Sequence, residues 1–133
     1  MFSNCPGECS NKLWLHPQIN FMAKINFQTI NWDEIPSTEH PGESGTSFWK
    51  TLQAEGLRIR IVEYGAGYIA DHWCQKGHIV HCLEGEFESE LEGGERYLLT
   101  KNMTYVVSDG LSSHKSYSKN GLKLLSIDGD FLK

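Results

Sequence analysis

The feature that most constrains the fold of this chain is a series of short apolar runs separated by glycine and asparagine. From residue 48 to residue 127, segments in which apolar and polar side chains alternate follow one another closely. Turn-forming pairs separate several of them: Gly93-Gly94, Lys101-Asn102 and Asn120-Gly121. Alternation with a period of two is typical of strands, and no segment shows a helical period. The pattern predicts about eight to ten strands in a sandwich or barrel, and a double-sheet jelly roll suits this length.

The chain has 133 residues, a length typical of one domain with one hydrophobic core. Residues 1–24 lack a regular pattern, so we expect a poorly ordered N-terminal extension followed by a β-barrel domain at 25–133. Cys5 and Cys9 lie in this extension without a second ligand pair for a structural zinc site. Met22 lies just before the regular pattern and is an alternative natural start.

The first elements of the predicted barrel are read from local patterns. Residues 25–35 include alternating apolar side chains and predict a first strand, and residues 37–47 predict a loop rich in turn formers. In the segment 57–61 apolar residues alternate with Arg58 and Arg60. This alternation predicts a half-buried strand whose two arginines face solvent, because charged side chains mostly stay exposed.

Charge and apolar content exclude several classes of partner. The net charge is −5 with both signs mixed, which argues against a nucleic-acid partner. No apolar run approaches the ~20 residues that cross a bilayer, and no export signal is evident. Without such a signal we interpret the four cysteines as reduced thiols or ligands, and we expect a cytoplasmic protein with no membrane partner.

The central stretch of the chain concentrates groups that bind metals. It predicts a strand, a turn and a second strand, so that His72 and Cys74 share a face and His78 begins the next strand beside them. Gly77, which is free to take a positive φ, supplies the turn. Soft and borderline donors at this spacing converge on one metal ion. His114, which follows a later turn, is the fourth candidate ligand.

Other residues near this stretch have more than one interpretation. Asp71 either accepts an N–H from a ligand histidine or is an ordinary surface carboxylate. His81 faces away from His78 and is interpreted as a packed or interface residue. Cys82 lies too far along the strand to share the ion, so it is predicted to be in the core. The segment 79–83 is nearly apolar on both faces, which indicates a homodimer.

The same residues resemble the first sequence motif of the cupin superfamily. Gly67 begins the motif, His72 and Cys74 occupy its His-x-His positions, His78 occupies its glutamate position, and Gly85 ends it. The run Asp-His-Trp-Cys, followed by Lys-Gly-His, more narrowly resembles the subgroup known as DHCW-motif cupins.

The second cupin motif resembles residues 97–118, where Gly110 and His114 fill the glycine and histidine positions. The resemblance implies an all-β, single-domain cupin-type double-stranded β-helix, which is a jelly-roll barrel. It also implies a metal bound by His72, Cys74, His78 and His114. A thiol replaces an imidazole and an imidazole replaces the glutamate, so this set favours zinc, iron or copper over manganese or magnesium.

This ligand set leaves two geometries open. With Cys74 bound, three histidines and a thiolate close a tetrahedral shell typical of structural zinc, whereas three histidines alone leave a position free. The resemblance implies a small-molecule metalloenzyme with dioxygenase-like or isomerase/lyase-like chemistry. The alternatives are a non-catalytic, metal-stabilised module that binds or senses a small-molecule ligand, and an interaction protein without a metal.

Overall fold

Nine strands and two short 3₁₀ helices make up residues 24–133, the part of the chain that this computed structural model describes. The strands are β1 (Thr38–Pro41), β2 (Thr46–Ala54), β3 (Leu57–Tyr64), β4 (Tyr68–Ile69), β5 (His78–Leu91), β6 (Arg96–Thr100), β7 (Thr104–Val107), β8 (His114–Ser118) and β9 (Leu122–Gly129). The helices are Trp32–Glu34 and Asp130–Leu132. Neither helix of the described residues is long and apolar enough to cross a membrane.

All paired strands are antiparallel, and they form two layers that share β5. The first layer contains β1, β2, β3, β9, the first half of β5 and β7, in that order. The second layer contains β4, β8, the second half of β5 and β6. One long strand passes through both layers and joins them into one curled sheet, and the predicted all-β jelly-roll fold is confirmed.

Gly85 allows β5 to bend between the two layers. Its φ is 79°, in the left-handed region that favours glycine, and an added Cβ would lie 2.6 Å from the carbonyl oxygen of Gly121. The pairing of β5 with β9 also shifts register between Cys82 and Glu84. A bulge of this kind bends a strand and changes which residues point inward.

The apolar core lies between the two layers. Along β5, even-numbered residues point into it before the bend and odd-numbered residues after it. Cys82 is fully buried before the bend and Phe87 is 2% exposed after it, so the predicted core position of Cys82 is confirmed. His81 faces the other way and pairs its ring with the hydroxyl of Thr104. The buried apolar cluster consists of Val62, Val80, Cys82, Phe87, Leu99, Leu122 and Leu124.

The structure corrects two predictions near the N-terminus. Residues 25–35 form no strand: Phe27 is 94% exposed, and a 3₁₀ turn begins where the Asn31 side chain accepts the N–H of Asp33. The predicted loop at 37–47 contains β1, which pairs with β2. The predicted extension at 1–24, with its two cysteines and its alternative start, lies outside the described residues except for Lys24.

The hairpin predicted at Gly93-Gly94 is confirmed between β5 and β6. The N–H of Leu91 donates to the carbonyl of Glu95 across the turn, and Gly94 has a φ of 104°. Glu88 and Glu90 project from the outer face of β5 and pair with Arg96 on β6. These glutamates form the solvent-facing side of the strand, as their alternation predicts.

Candidate metal centre

Cys74, His78 and His114 meet at one side of the cavity between the two layers. One ligand atom from each, the thiol sulfur or a ring nitrogen, lies within 4.8 Å of the other two. The sulfur of Cys74 is 3.4 Å from Nε2 of His78. Both histidines are buried and the cysteine is half-buried. The structure therefore brings together three of the four ligands predicted from the sequence.

Local backbone pairing places Cys74 beside His114. The N–H of Cys74 donates to the carbonyl of His114 at 2.8 Å, and the N–H of His114 donates back at 3.0 Å. This isolated bridge is the only strand-like pairing of the described segment 70–77, so the predicted strand through His72 and Cys74 is wrong. Two reciprocal hydrogen bonds fix the spacing of the two residues as firmly as a ladder would.

Gly77 supplies the turn before His78, but not for the predicted reason. Its φ does not lie in the left-handed region. A Cβ on this residue would instead lie 2.5 Å from the carbonyl oxygen of Val107, and its N–H donates to the carboxylate of Asp109. The backbone passes so close to the end of β7 that only glycine fits, which fixes the first residue of β5.

The hydrogen bond on the far side of the ring orients His78. Its Nδ1 lies 3.2 Å from Oδ2 of Asp128, a buried carboxylate on β9. A carboxylate accepts and does not donate, so Nδ1 carries a proton, and Nε2 faces the sulfur of Cys74. An imidazole held in this way by a carboxylate is the usual arrangement of a metal-binding histidine.

A backbone carbonyl orients the ring of His114, as Asp128 orients that of His78. Its Nδ1 donates to the carbonyl oxygen of Ser112 at 2.9 Å. Its Nε2 is buried and has no hydrogen-bond partner among the described residues. A buried ring nitrogen without a hydrogen-bond partner is costly in a folded protein, because water cannot reach it. A metal ion between the two rings would satisfy this nitrogen, so the donor set fits a metal.

The thiol of Cys74 is in a setting that favours its ionised form. Burial raises the pKa of this thiol, but the rings of His114 and His78 beside the sulfur, and then a backbone hydrogen bond from Lys76, lower the pKa by more, to about 5. Thiolate is the form in which cysteine binds metals. A thiolate and two imidazoles are a soft to borderline set that suits zinc, iron or copper.

His72, the fourth predicted ligand, lies apart from the other three. Its side chain is 72% exposed, and its Nδ1 is 2.6 Å from Oδ1 of Asp71. The hydrogen bond with His72 lowers the pKa of Asp71. His72 lines the same cavity as Cys74, but a turn rather than a strand precedes Cys74 and His72 lies outside the cluster. A ligand role for His72 stays a prediction that this arrangement does not favour.

Asp128 is the functional residue that the sequence analysis missed. It is 1% exposed and accepts hydrogen bonds from both Arg58 and Arg60, at 2.9–3.2 Å. The prediction that both arginines face solvent is wrong, because Arg60 is 6% exposed and points inward. Apolar and charged residues alternate along β3 as predicted, but the side that carries the arginines is the one that faces the interior. Asp128 makes the burial of these two charges possible by pairing with both.

A cavity of about 320 Å³ opens beside the cluster. Its walls are mostly aromatic and apolar, and its polar groups come from the cluster, the two arginines, His72, Lys76 and a few serines and tyrosines. Burial raises the pKa of Tyr64 to about 12 and raises that of Tyr105 further. Both phenols are therefore neutral hydrogen-bond donors at physiological pH. An apolar cavity with a few convergent polar groups is the common form of a small-molecule site.

The two-layered barrel with its inward-facing imidazoles has the cupin fold. Among solved structures it is similar to ectoine synthase from P. lautus, with 24% identity, a TM-score of 0.62 and coverage of 77% of this chain and 78% of that one. It is similar to KdgF from Halomonas sp., with 19% identity, a TM-score of 0.65 and coverage of 77% and 94%. An RmlC-like cupin from Shewanella frigidimarina has 16% identity, a TM-score of 0.60 and coverage of 81% and 94%. No protein-family model and no curated protein sequence matches the chain.

Proposed function

We propose that Cys74, His78 and His114 bind one divalent transition metal and that the adjoining cavity is the active site of a small-molecule metalloenzyme. The observation that carries the proposal is the convergence of one ring nitrogen from each of two buried histidines with a thiol, all within 4.8 Å of one another. Hydrogen bonds to Asp128 and to the carbonyl of Ser112 hold both rings for this purpose.

The number of ligands favours catalysis over a purely structural metal. Structural zinc sites usually have four protein ligands, whereas catalytic sites usually have three and keep a position for water or substrate. The cluster in the described residues has three, and it borders a cavity rather than the closed core. A metal bound there would supply Lewis acidity toward an oxygen of the substrate. The protein would supply neutral phenol donors from Tyr64 and Tyr105 and an enclosed apolar wall.

The enzymes among the structural neighbours are consistent with this proposal, since one is an ectoine synthase. Their sequence identities are too low to carry a substrate to this chain. Dioxygenase-like and isomerase/lyase-like chemistry both stay open, as does the narrower assignment to the DHCW subgroup.

Elemental analysis of the purified protein tests the metal. We expect about one zinc, iron or copper per chain, retained in His72→Asn and lost in Cys74→Ser and His78→Asn. His81→Asn is the matched control for His78→Asn, because His81 lies on the same strand and faces away. A protein that folds without metal, or variants that retain it, would contradict the proposed centre.

An open position on the metal is tested by adding azide or nitric oxide and recording the absorption or EPR spectrum, after cobalt substitution if the metal is zinc. A spectral change supports an active site. A metal that stabilises the fold but does not respond to either probe would instead indicate the non-catalytic module.

A further inference from the structure

We infer that the cavity binds a small organic acid whose carboxylate pairs with the guanidinium of Arg60. This inference rests on the proposed function in that it names a substrate class for the same cavity. The contacts that carry it come from Arg60 and its neighbours, so it can be tested separately from the metal.

The guanidinium of Arg60 keeps donors that the protein does not use. Arginine has five N–H donors in a planar fork. Nη2 donates to Oγ of Ser126 at 3.3 Å and to Oδ2 of Asp128 at 3.2 Å. Nε is buried and has no partner among the residues that the structure describes. Arg60 lines the cavity, and an unsatisfied buried donor is costly, so a ligand acceptor that reaches this guanidinium would be favourable.

The charges around Arg60 leave a positive surplus inside the cavity wall. Arg58 and Arg60 carry two positive charges, and both pair with the single carboxylate of Asp128. The side chain of Arg60 is only 8% exposed, so water compensates little of its charge. A divalent metal bound with the Cys74 thiolate would add one further positive charge. The balance therefore favours a ligand that brings a negative charge.

Aromatic packing holds Arg60 in place before a ligand arrives. Its guanidinium carbon lies 4.4 Å from the centre of the Trp49 ring, and Trp49 in turn stacks on His40 at 3.7 Å. Nε1 of Trp49 donates to Oγ of the buried Ser47 at 3.0 Å. A guanidinium fixed in this way loses little conformational freedom on binding, which is how a preorganised site gains affinity.

The cavity limits what kind of anion fits. Arg60 Nη2 and His78 Nδ1 each lie 3.2 Å from the same oxygen of Asp128, so the anion site and the metal cluster are immediate neighbours. A volume of about 320 Å³ is near the lower end for ligand sites. The walls near Phe87 and Tyr105 are apolar and aromatic. One planar carboxylate on a compact apolar body matches the planar fork and these walls.

Benzoate and its neutral analogue benzamide are suitable probes on the wild-type protein as purified, with its metal content recorded. We expect benzoate, but not benzamide, to shift the ¹⁵N–¹H resonance of the Arg60 Nε–H group, assigned with Arg60→Lys. The inference is overturned if the two compounds bind equally well, or if benzoate binds without moving this resonance. It is also overturned if neither benzoate, butyrate nor acetate binds at millimolar concentration, or if phenyl phosphate binds more tightly than benzoate.

Titration calorimetry of variants gives a second readout. Arg60→Gln should weaken benzoate binding about tenfold or more, since a charged hydrogen-bonded pair is lost. Lys123→Gln removes the same charge from the outer, half-exposed side of β9 and should leave the affinity unchanged. Equal weakening in both variants would contradict a site at Arg60. If Cys74→Ser loses the metal but benzoate still shifts the Arg60 resonance, both the metal centre and the anion site are supported, each by its own readout. If the wild type and all variants lack metal and benzoate still shifts this resonance, the proposed metal centre is wrong and the anion site stands.

Discussion

Replacing the buried carboxylate of Asp128 by an amide should destabilise the fold and disturb the metal cluster together. Asp128→Asn keeps the size of the side chain and removes its charge. In the wild type this carboxylate receives two hydrogen bonds from Arg58, one from Arg60 and one from His78. The amide accepts through one oxygen only, so at least one guanidinium loses its partner.

The size of the stability loss in Asp128→Asn depends on how exposed the two arginines are once they lose the carboxylate. Removing one partner of a buried ion pair typically costs about 3–5 kcal/mol. Arg60 is almost fully buried, but the side chain of Arg58 is 28% exposed and recovers part of its hydration. We therefore expect a loss of roughly 3 kcal/mol in the free energy of unfolding, or roughly 10–15 °C in Tm for a domain of this size.

The pH dependence of this difference has a defined sign. Burial raises the pKa of Asp128, but the hydrogen bonds and charge of Arg58, followed by the charges of Arg60 and His78, lower it more, so it lies below its usual range. A carboxylate with a depressed pKa stabilises the fold above its unfolded pKa of about 3.9. This contribution is lost as the pH falls through the folded pKa. The gap between wild type and Asp128→Asn should therefore be constant above about pH 5 and narrow below pH 4.

Urea denaturation followed by circular dichroism at several pH values measures both quantities, with equal m-values required for the comparison. The matched control is Asp130→Asn, an exposed carboxylate two residues further along that pairs with Lys133. Its effect should stay within about 0.5 kcal/mol. If Asp128→Asn costs less than about 1 kcal/mol, or if its effect grows as the pH falls, the argument that this carboxylate compensates two buried arginines is refuted.

Three further changes have expected outcomes. Gly77→Ala should cost about 2–3 kcal/mol in urea denaturation, because its Cβ would lie 2.5 Å from the carbonyl oxygen of Val107, whereas Gly93→Ala meets only a flexible side chain and should be nearly neutral. Phe87→Ala should cost about 3–5 kcal/mol by the same assay, because it empties the largest fully buried position; a loss below 1 kcal/mol would argue against this core. Removing the metal with a chelator should lower Tm of the wild type and leave Tm of Cys74→Ser unchanged. If the chelator lowers Tm equally in both proteins, the stabilising metal is not bound by this cluster.

Local sequence pattern was enough to predict the barrel, because each strand is short and its turns carry their own signals. The turn at the Gly93-Gly94 pair and the inward position of Cys82 both appear in the structure as predicted. The prediction of a strand at residues 25–35 was wrong, because alternation alone does not show whether a neighbouring strand is available to pair.

The candidate site was only partly predictable, because its geometry depends on contacts far apart in the sequence. Residue type and motif spacing pointed to His78 and His114, which the structure places in one cluster, whereas the position of His72 outside that cluster follows from a turn that the period of two did not reveal. The inward side of Arg60 depends on Asp128, which lies 68 residues away. The alternating segments were predicted to end at residue 127, one residue before Asp128; extending the last alternation by one step would have placed this carboxylate on the same side as Leu124 and Ser126.

The sharing of one carboxylate among Arg58, Arg60 and His78 limits how the chain can vary over evolutionary time. A neutral residue at position 128 would be tolerated only alongside neutral residues at 58 and 60, and such a triple change would release the ring at position 78 from its orientation. Natural variants should therefore exchange these positions jointly, as a block, while the outward-facing neighbours on the same strands drift independently.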